Sequence, residues 1–172
     1  MKKISLVMAI QTVLFVVALQ VQAQDVYPLN AAEGAAYDGA THVVIVEDED
    51  LTTATSNTTQ TLTVSVLAKQ GIELVAAVLE ETFQDAGVSA NNSLLITVGD
   101  GTDADMYLTS TQLCEDGTEV YLKFGTGTRT VYTADDTLDL AIAPHASYGV
   151  AAMDQGKLRL YIRILDAVKR LQ

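Results

Sequence analysis

The chain has 172 residues, enough for one domain with a real core and short for two. Apolar residues make up 49% and charged ones 19%, a globular composition that excludes a disordered polymer. A net charge of −12 repels phosphate, so no nucleic-acid partner is expected.

The charge is unevenly spread. Residues 24–156 hold 21 acids and only three bases (Lys69, Lys123 and Arg129), a balance of −18. Residues 157–172 hold five bases and one acid, a balance of +4. Lys2 and Lys3 supply the remaining +2. Cys114 is the only cysteine, which rules out an intrachain disulfide and reads as a small hydrophobe, not a nucleophile.

Residues 1–24 form an apolar segment with two readings. Lys2 and Lys3, the apolar run 4–19 and Val21-Gln22-Ala23 make a secretory signal peptide cleaved between Ala23 and Gln24. Ser5, Gln11 and Thr12 interrupt the run, which is short for a membrane span. The second reading comes from period two. Val13, Phe15, Val17, Leu19, Val21 and Ala23 share one face, opposite Gln20, Gln22 and Gln24, as in a first strand or a docking arm. Met8 is an alternative start.

Residues 25–172 read as a single β-sandwich domain. An Ala- and Gly-rich loop over 27–40 precedes His42-Val43-Val44-Ile45-Val46, a buried strand ended by the acidic turn Glu47-Asp48-Glu49-Asp50. Residues 61–67 alternate, with Leu62, Val64 and Val66 on one face, and Gly71 marks the next turn. Residues 72–83 carry helix formers, but the flanking turns and strands favour one long strand. Residues 93–98 form a strand running into Gly99-Asp100-Gly101. Residues 118–124 alternate Val120, Leu122 and Phe124 against Tyr121 and Lys123, and 137–143 follow. The last strand sets Leu158, Leu160, Ile162 and Ile164 against Lys157, Arg159, Tyr161 and Arg163. Short strands with Gly and Asp turns and no βαβ rhythm predict an all-β protein, an antiparallel β-sandwich of jelly-roll type.

Catalytic chemistry has little to stand on. His42 sits in an apolar run and His145 follows Pro144, and neither pairs with Cys114 or a serine in a local signature. No HExxH, GxSxG or Walker-type motif is present, so no enzyme is expected. Asn57-Thr58-Thr59 and Asn91-Asn92-Ser93 match the glycosylation pattern, which is common by chance. Asp100, Asp103 and Asp105 in the loop Asp100-Gly101-Thr102-Asp103-Ala104-Asp105 could hold a structural Ca²⁺, although the spacing is not that of an EF-hand. Aspartates also build turns by bonding their own backbone. No other cofactor is expected.

Four segments together resemble small structural proteins of tailed bacteriophages, of the kind that decorate or stabilise the head. They are Ala40-Thr41-His42-Val43-Val44, Thr97-Val98-Gly99-Asp100-Gly101-Thr102-Asp103-Ala104-Asp105-Met106-Tyr107-Leu108, Val131-Tyr132-Thr133-Ala134-Asp135-Asp136-Thr137-Leu138-Asp139 and Gly156-Lys157-Leu158-Arg159-Leu160-Tyr161-Ile162-Arg163-Ile164. The resemblance implies a homo-oligomeric module on the capsid surface of a virion, bound to the major capsid protein or to neighbouring copies of itself. Arg159, Arg163, Lys169 and Arg170 are then the expected contacts to an acidic neighbour, with Phe15, Val17 and Leu19 on the docking arm. The alternative is a secreted or periplasmic bacterial β-sandwich, a binding or surface module freed of its signal peptide. Neither reading leaves a membrane segment in the mature form.

Overall fold

Alternation decides which faces of the strands meet. The structure, a computed structural model, describes residues 21–55, 57–84, 94–113, 121–144 and 149–166. Eleven strands are assigned among them: β1 (Val21–Ala23), β2 (Val26–Pro28), β3 (His42–Glu47), β4 (Gln60–Val66), β5 (Gln70–Gln84), β6 (Leu94–Gly99), β7 (Leu108–Gln112), β8 (Tyr121–Phe124), β9 (Thr130–Val131), β10 (Asp136–Pro144) and β11 (Gln155–Asp166).

The strands form two sheets. The first runs β1-β4-β10-β6-β7 and the second β2-β3-β11-β5-β8, with β9 also on β5. Only the β1–β4 pair is parallel. Setting aside β1, β2 and β9, the chain visits the sheets in the order second, first, second, first, first, second, first, second. The resulting neighbours, β4-β10-β6-β7 and β3-β11-β5-β8, are those of a jelly roll, two interleaved Greek keys that share one core. The expected fold class is therefore the observed one.

The core lies between the sheets. Leu62, Val64 and Val66 of β4, Ile96 and Val98 of β6, and Leu138, Leu140 and Ile142 of β10 face Val44 and Val46 of β3, Ile72, Leu74 and Leu79 of β5, and Leu158, Leu160 and Ile162 of β11. The predicted faces of β4 and β11 are the buried ones. β5 shows no clean alternation because it is covered on both sides. Ile72, Leu74, Ala77 and Leu79 enter the main core, while Val75 and Ala76 join a second cluster on the outer face. A bulge in the β5–β11 ladder, between the Tyr161 and Ile162 registers, puts Val75 and Ala76 both outward.

Two local elements fall in the stretch expected to be loop, 27–40: strand β2 and helix α1 (Ala31–Ala36). Asn30 caps α1, its side chain accepting from the Ala32 and Glu33 N–H groups at 3.0 Å each. Glu33 returns the bond by accepting from the Asn30 N–H at 3.1 Å. This is a capping box, which supports a six-residue helix in the connection between β2 and β3. The acidic turn closes similarly, as a single 3₁₀ turn over Asp48–Asp50 with Asp50 Oδ2 accepting from the Glu47 N–H at 2.9 Å.

Candidate interaction surface

The two outer faces differ in chemistry. No Lys or Arg lies on any strand of the first sheet, where Thr61, Thr63, Ser65, Thr97, Thr137 and Asp139 occupy the outward positions. The second sheet carries both charge and apolar area. Its outer face holds the second cluster, in which Ala40, Val43, Val75, Ala76 and Tyr161 are buried and Leu29, Tyr37, Ile45 and Val78 pack against them. Tyr37, just after α1, stacks on Tyr161 with ring centroids 3.6 Å apart and planes 14° apart. Burial pushes the Tyr161 phenol up to about 12, with Tyr37 adding to the shift and Arg159 opposing it.

Ion pairs lace the same face across the strands. Lys157 Nζ lies 2.5 Å from Glu47 Oε1, joining β11 to β3. Arg159 Nε lies 2.9 Å from Glu80 Oε1, joining β11 to β5. Burial works against the charge on Arg159, but Glu80 outweighs it and raises the guanidinium further. Arg163 Nη1 and Arg129 Nε both donate to Glu73 Oε2 at 2.6 Å. Arg163 also donates through Nε to the Gly39 carbonyl at 3.1 Å and through Nη2 to the Asp38 carbonyl. Asp38 (φ 47°) and Gly39 (φ 77°) take the left-handed backbone of this turn.

Arg159 and Arg163, expected to reach an acidic neighbour, thus meet acids of their own chain. The Arg163 side chain is only 15% exposed. Lys169, Arg170, Phe15, Val17 and Leu19 lie outside the described residues, as do Cys114 and His145. Residues 21–23 of the apolar segment form β1, in register with Thr61–Thr63 of β4.

The acidic loop folds inward on itself. Asp100 is 7% exposed, and its Oδ1 accepts from the Thr102 and Asp103 N–H groups at 2.8 and 2.9 Å. Its Oδ2 accepts from the Tyr132 hydroxyl at 3.4 Å, which lies 2.9 Å from the Tyr107 hydroxyl. The loop crosses Gly99 so closely that a Cβ there would stand 2.0 Å from the Asp103 carbonyl oxygen. Among the described residues no three His, Cys, Asp or Glu side chains gather in a way that could hold a metal ion. Asp100 works as the pin of a turn.

Sequence reasoning missed the exposed apolar residues. Phe124 is 69% exposed, Val131 60%, Leu67 58% and Tyr27 49%. Phe124 pairs with Ala76 and Val131 with Gly71, outward positions of β5, so both sit on the outer face of the second sheet at its β8/β9 edge. Leu67 lies in the β4–β5 turn beside them, where the Lys69 N–H donates to the Tyr132 carbonyl at 2.7 Å. Tyr27 lies on β2, at the opposite edge of the same sheet.

Fold and surface together define a jelly-roll β-sandwich module with an apolar, ion-paired face. No protein-family model matches the chain, and no curated protein does. Among solved structures, a periplasmic lysozyme inhibitor of g-type lysozyme, PliG from Aeromonas hydrophila, is similar at 14% identity with a TM-score of 0.28. The match spans 84% of this chain and 97% of that one. A likeness that loose defines neither a shared topology nor a shared partner.

Proposed function

We propose that the chain is a non-catalytic binding module, exported by a bacterium to the periplasm or the cell surface. One structural relationship supports export: the eight jelly-roll strands all lie downstream of Ala23, and β1 is an added edge strand of three residues. Cleavage between Ala23 and Gln24 would leave β2 to β11 and the core intact. Lys2, Lys3, the apolar run 4–19 and Val21-Gln22-Ala23 supply the signal that such cleavage needs. The apolar outer face, with exposed Phe124, Val131 and Tyr27, supports action by surface contact.

A second reading, a capsid-associated decoration module of a virion, is favoured by β1 itself. Val21–Ala23 pair with β4, and the Gln24 N–H donates to the Thr63 carbonyl at 2.7 Å. That hydrogen bonding gives residues 21–24 a place in the fold and a reason to be kept. Jelly rolls also occur in viral capsids, a fold-level analogy only.

The N-terminal peptide separates the two. Mass spectrometry of the secreted fraction and of purified particles from the source culture is expected to find a chain beginning at Gln24 in the secreted fraction. Recovery in particles, beginning at Met1 or near Met8, would overturn export and leave the virion reading.

A further inference from the structure

Two lengths of chain meet at the proposed cleavage point, and each is tied to a different sheet. Upstream, β1 pairs in parallel with β4, setting Val21 opposite Thr61, Gln22 opposite Leu62 and Ala23 opposite Thr63. The Gln24 N–H, which belongs to the Ala23–Gln24 peptide bond itself, donates to the Thr63 carbonyl at 2.7 Å. Downstream, Val26, Tyr27 and Pro28 pair with Val44, Val43 and His42 of β3 in the second sheet. Only Asp25 lies between the two attachments. The bond is therefore held at its own N–H and anchored on both sides, with almost no slack.

A peptidase takes its substrate as an extended strand whose backbone groups pair with the enzyme. In the folded chain β4 already holds that place. β4 itself is fixed, because Leu62, Val64 and Val66 are buried in the core and its whole length pairs with β10 on the other side. Access requires β1 to lift off and the link to β2 to slacken, a local opening whose population sets the rate of cutting. We propose that the β1–β4 pairing is a latch on processing: the folded chain hides the Ala23–Gln24 bond, so cleavage has to precede folding. The inference rests on the export reading and adds a means of regulation to its cleavage site. It also gives β1 a meaning under export. A strand that forms only in the uncut chain is the mark of a precursor that folded too early, and that precursor stays uncut.

The test gives the full chain to a purified bacterial signal peptidase in detergent micelles, with mass spectrometry counting chains that begin at Gln24. Two variants leave residues 1–28 unchanged. Thr63 turns its carbonyl toward β1, and its N–H points the same way, away from β10. Thr63→Pro therefore removes a donor from the β1 side while the β4–β10 hydrogen bonds stay in place. Leu140→Asp puts a carboxylate at a fully buried core position and keeps the chain unfolded. Folded wild type is expected to be cut at least about tenfold more slowly than either variant. Amide exchange at Gln24 in the folded wild type is expected to be slowed by at least about the same factor, a test that needs no variant. Equal cutting of wild type and Leu140→Asp, or an unprotected Gln24 amide, overturns the latch and leaves export standing. A folded Thr63→Pro chain that resists as the wild type does also overturns it. If none of the three chains is cut between Ala23 and Gln24, the export reading falls and the latch falls with it.

Discussion

Arg163 and Glu73 face each other directly across the β11–β5 ladder and meet at 2.6 Å, with side chains 15% and 12% exposed. The single negative charge of Glu73 faces two guanidiniums, and among the described residues Glu73 is the one carboxylate that Arg163 reaches at hydrogen-bond distance. A pair this shielded from water costs more to break than a surface pair. Glu73→Ala is expected to lower stability by about 2–4 kcal/mol, because it strands a shielded guanidinium. Arg129→Ala, at the exposed side, is expected to cost about 0–1 kcal/mol. Urea unfolding of the three proteins measures both.

Gln60 is expected to be as sensitive as any core residue. It is 1% exposed, its Oε1 accepts from the Thr52 and Thr53 N–H groups at 2.8 and 3.0 Å, and its Nε2 donates to the Asp50 carbonyl at 2.6 Å. Gln60→Leu keeps the volume and leaves three backbone groups without partners, a loss of about 2–4 kcal/mol. Denaturant midpoints give the size, and amide exchange at Thr52 and Thr53 is expected to quicken.

Tyr37→Ala removes the ring that covers Tyr161. The Tyr161 phenol, held at about 12, is then expected to titrate nearer the ordinary 10.0. Folded Tyr161 ionises at higher pH than unfolded, so its contribution to stability is complete below pH 10 and is lost as pH rises toward 12. Absorbance titration of tyrosinate in the wild type and in Tyr37→Ala follows the shift, and unfolding at alkaline pH follows the stability.

His42 gives the opposite dependence. Burial lowers its folded pKa below the ordinary 6.5, while its Nδ1 lies 2.8 Å from the Thr41 hydroxyl. The unfolded chain therefore binds the proton more readily. Stability attributable to His42 is complete above pH 6.5 and falls as pH drops through that value toward the folded one. His42→Gln is expected to flatten this part of the pH–stability curve while leaving the more acidic part unchanged.

Asp100→Ala is expected to destabilise the β6–β7 loop by about 1–3 kcal/mol, through the loss of the carboxylate oxygen that accepts from two turn N–H groups. If turn pinning is the whole role of Asp100, the thermal midpoint of the wild type stays the same with excess Ca²⁺ and with a chelator. A rise with Ca²⁺ would restore the metal reading.

Much of this architecture was legible because period two is hard to mistake. Leu158, Leu160, Ile162 and Ile164 specify the inner face of β11, and Leu62, Val64 and Val66 that of β4. The length of β5 was legible only from its flanks, since two buried faces and a bulge erase alternation. β2 was hidden by its brevity. Helix α1 left one readable trace, the Asn30 and Glu33 spacing of a capping box, inside a stretch whose composition resembles loop. The surface was harder. Phe124 shares a face with Val120 and Leu122 in the sequence pattern, yet its outward position depends on a register with Ala76 some fifty residues away. No local pattern distinguishes Arg163 as an internal partner from Arg163 as a docking residue, because Glu73 lies 90 positions earlier.

The place of β11 sets a schedule for the whole molecule. It is the last of the described strands in the chain and yet runs through the middle of the second sheet, between β3 and β5. Until it has been made, β3 and β5 have no common neighbour, and Val44, Ile72 and Leu79 lack Leu158, Leu160 and Ile162 beside them in the core. A ribosome delivering this chain would hold an incomplete sandwich until β11 had emerged, and pairing over such separations is slow. Premature termination anywhere before residue 155 should thus yield no folded fragment, only unpaired strands for chaperones or proteases to clear. For a chain carrying an export signal, that delay would keep it threadable during its journey.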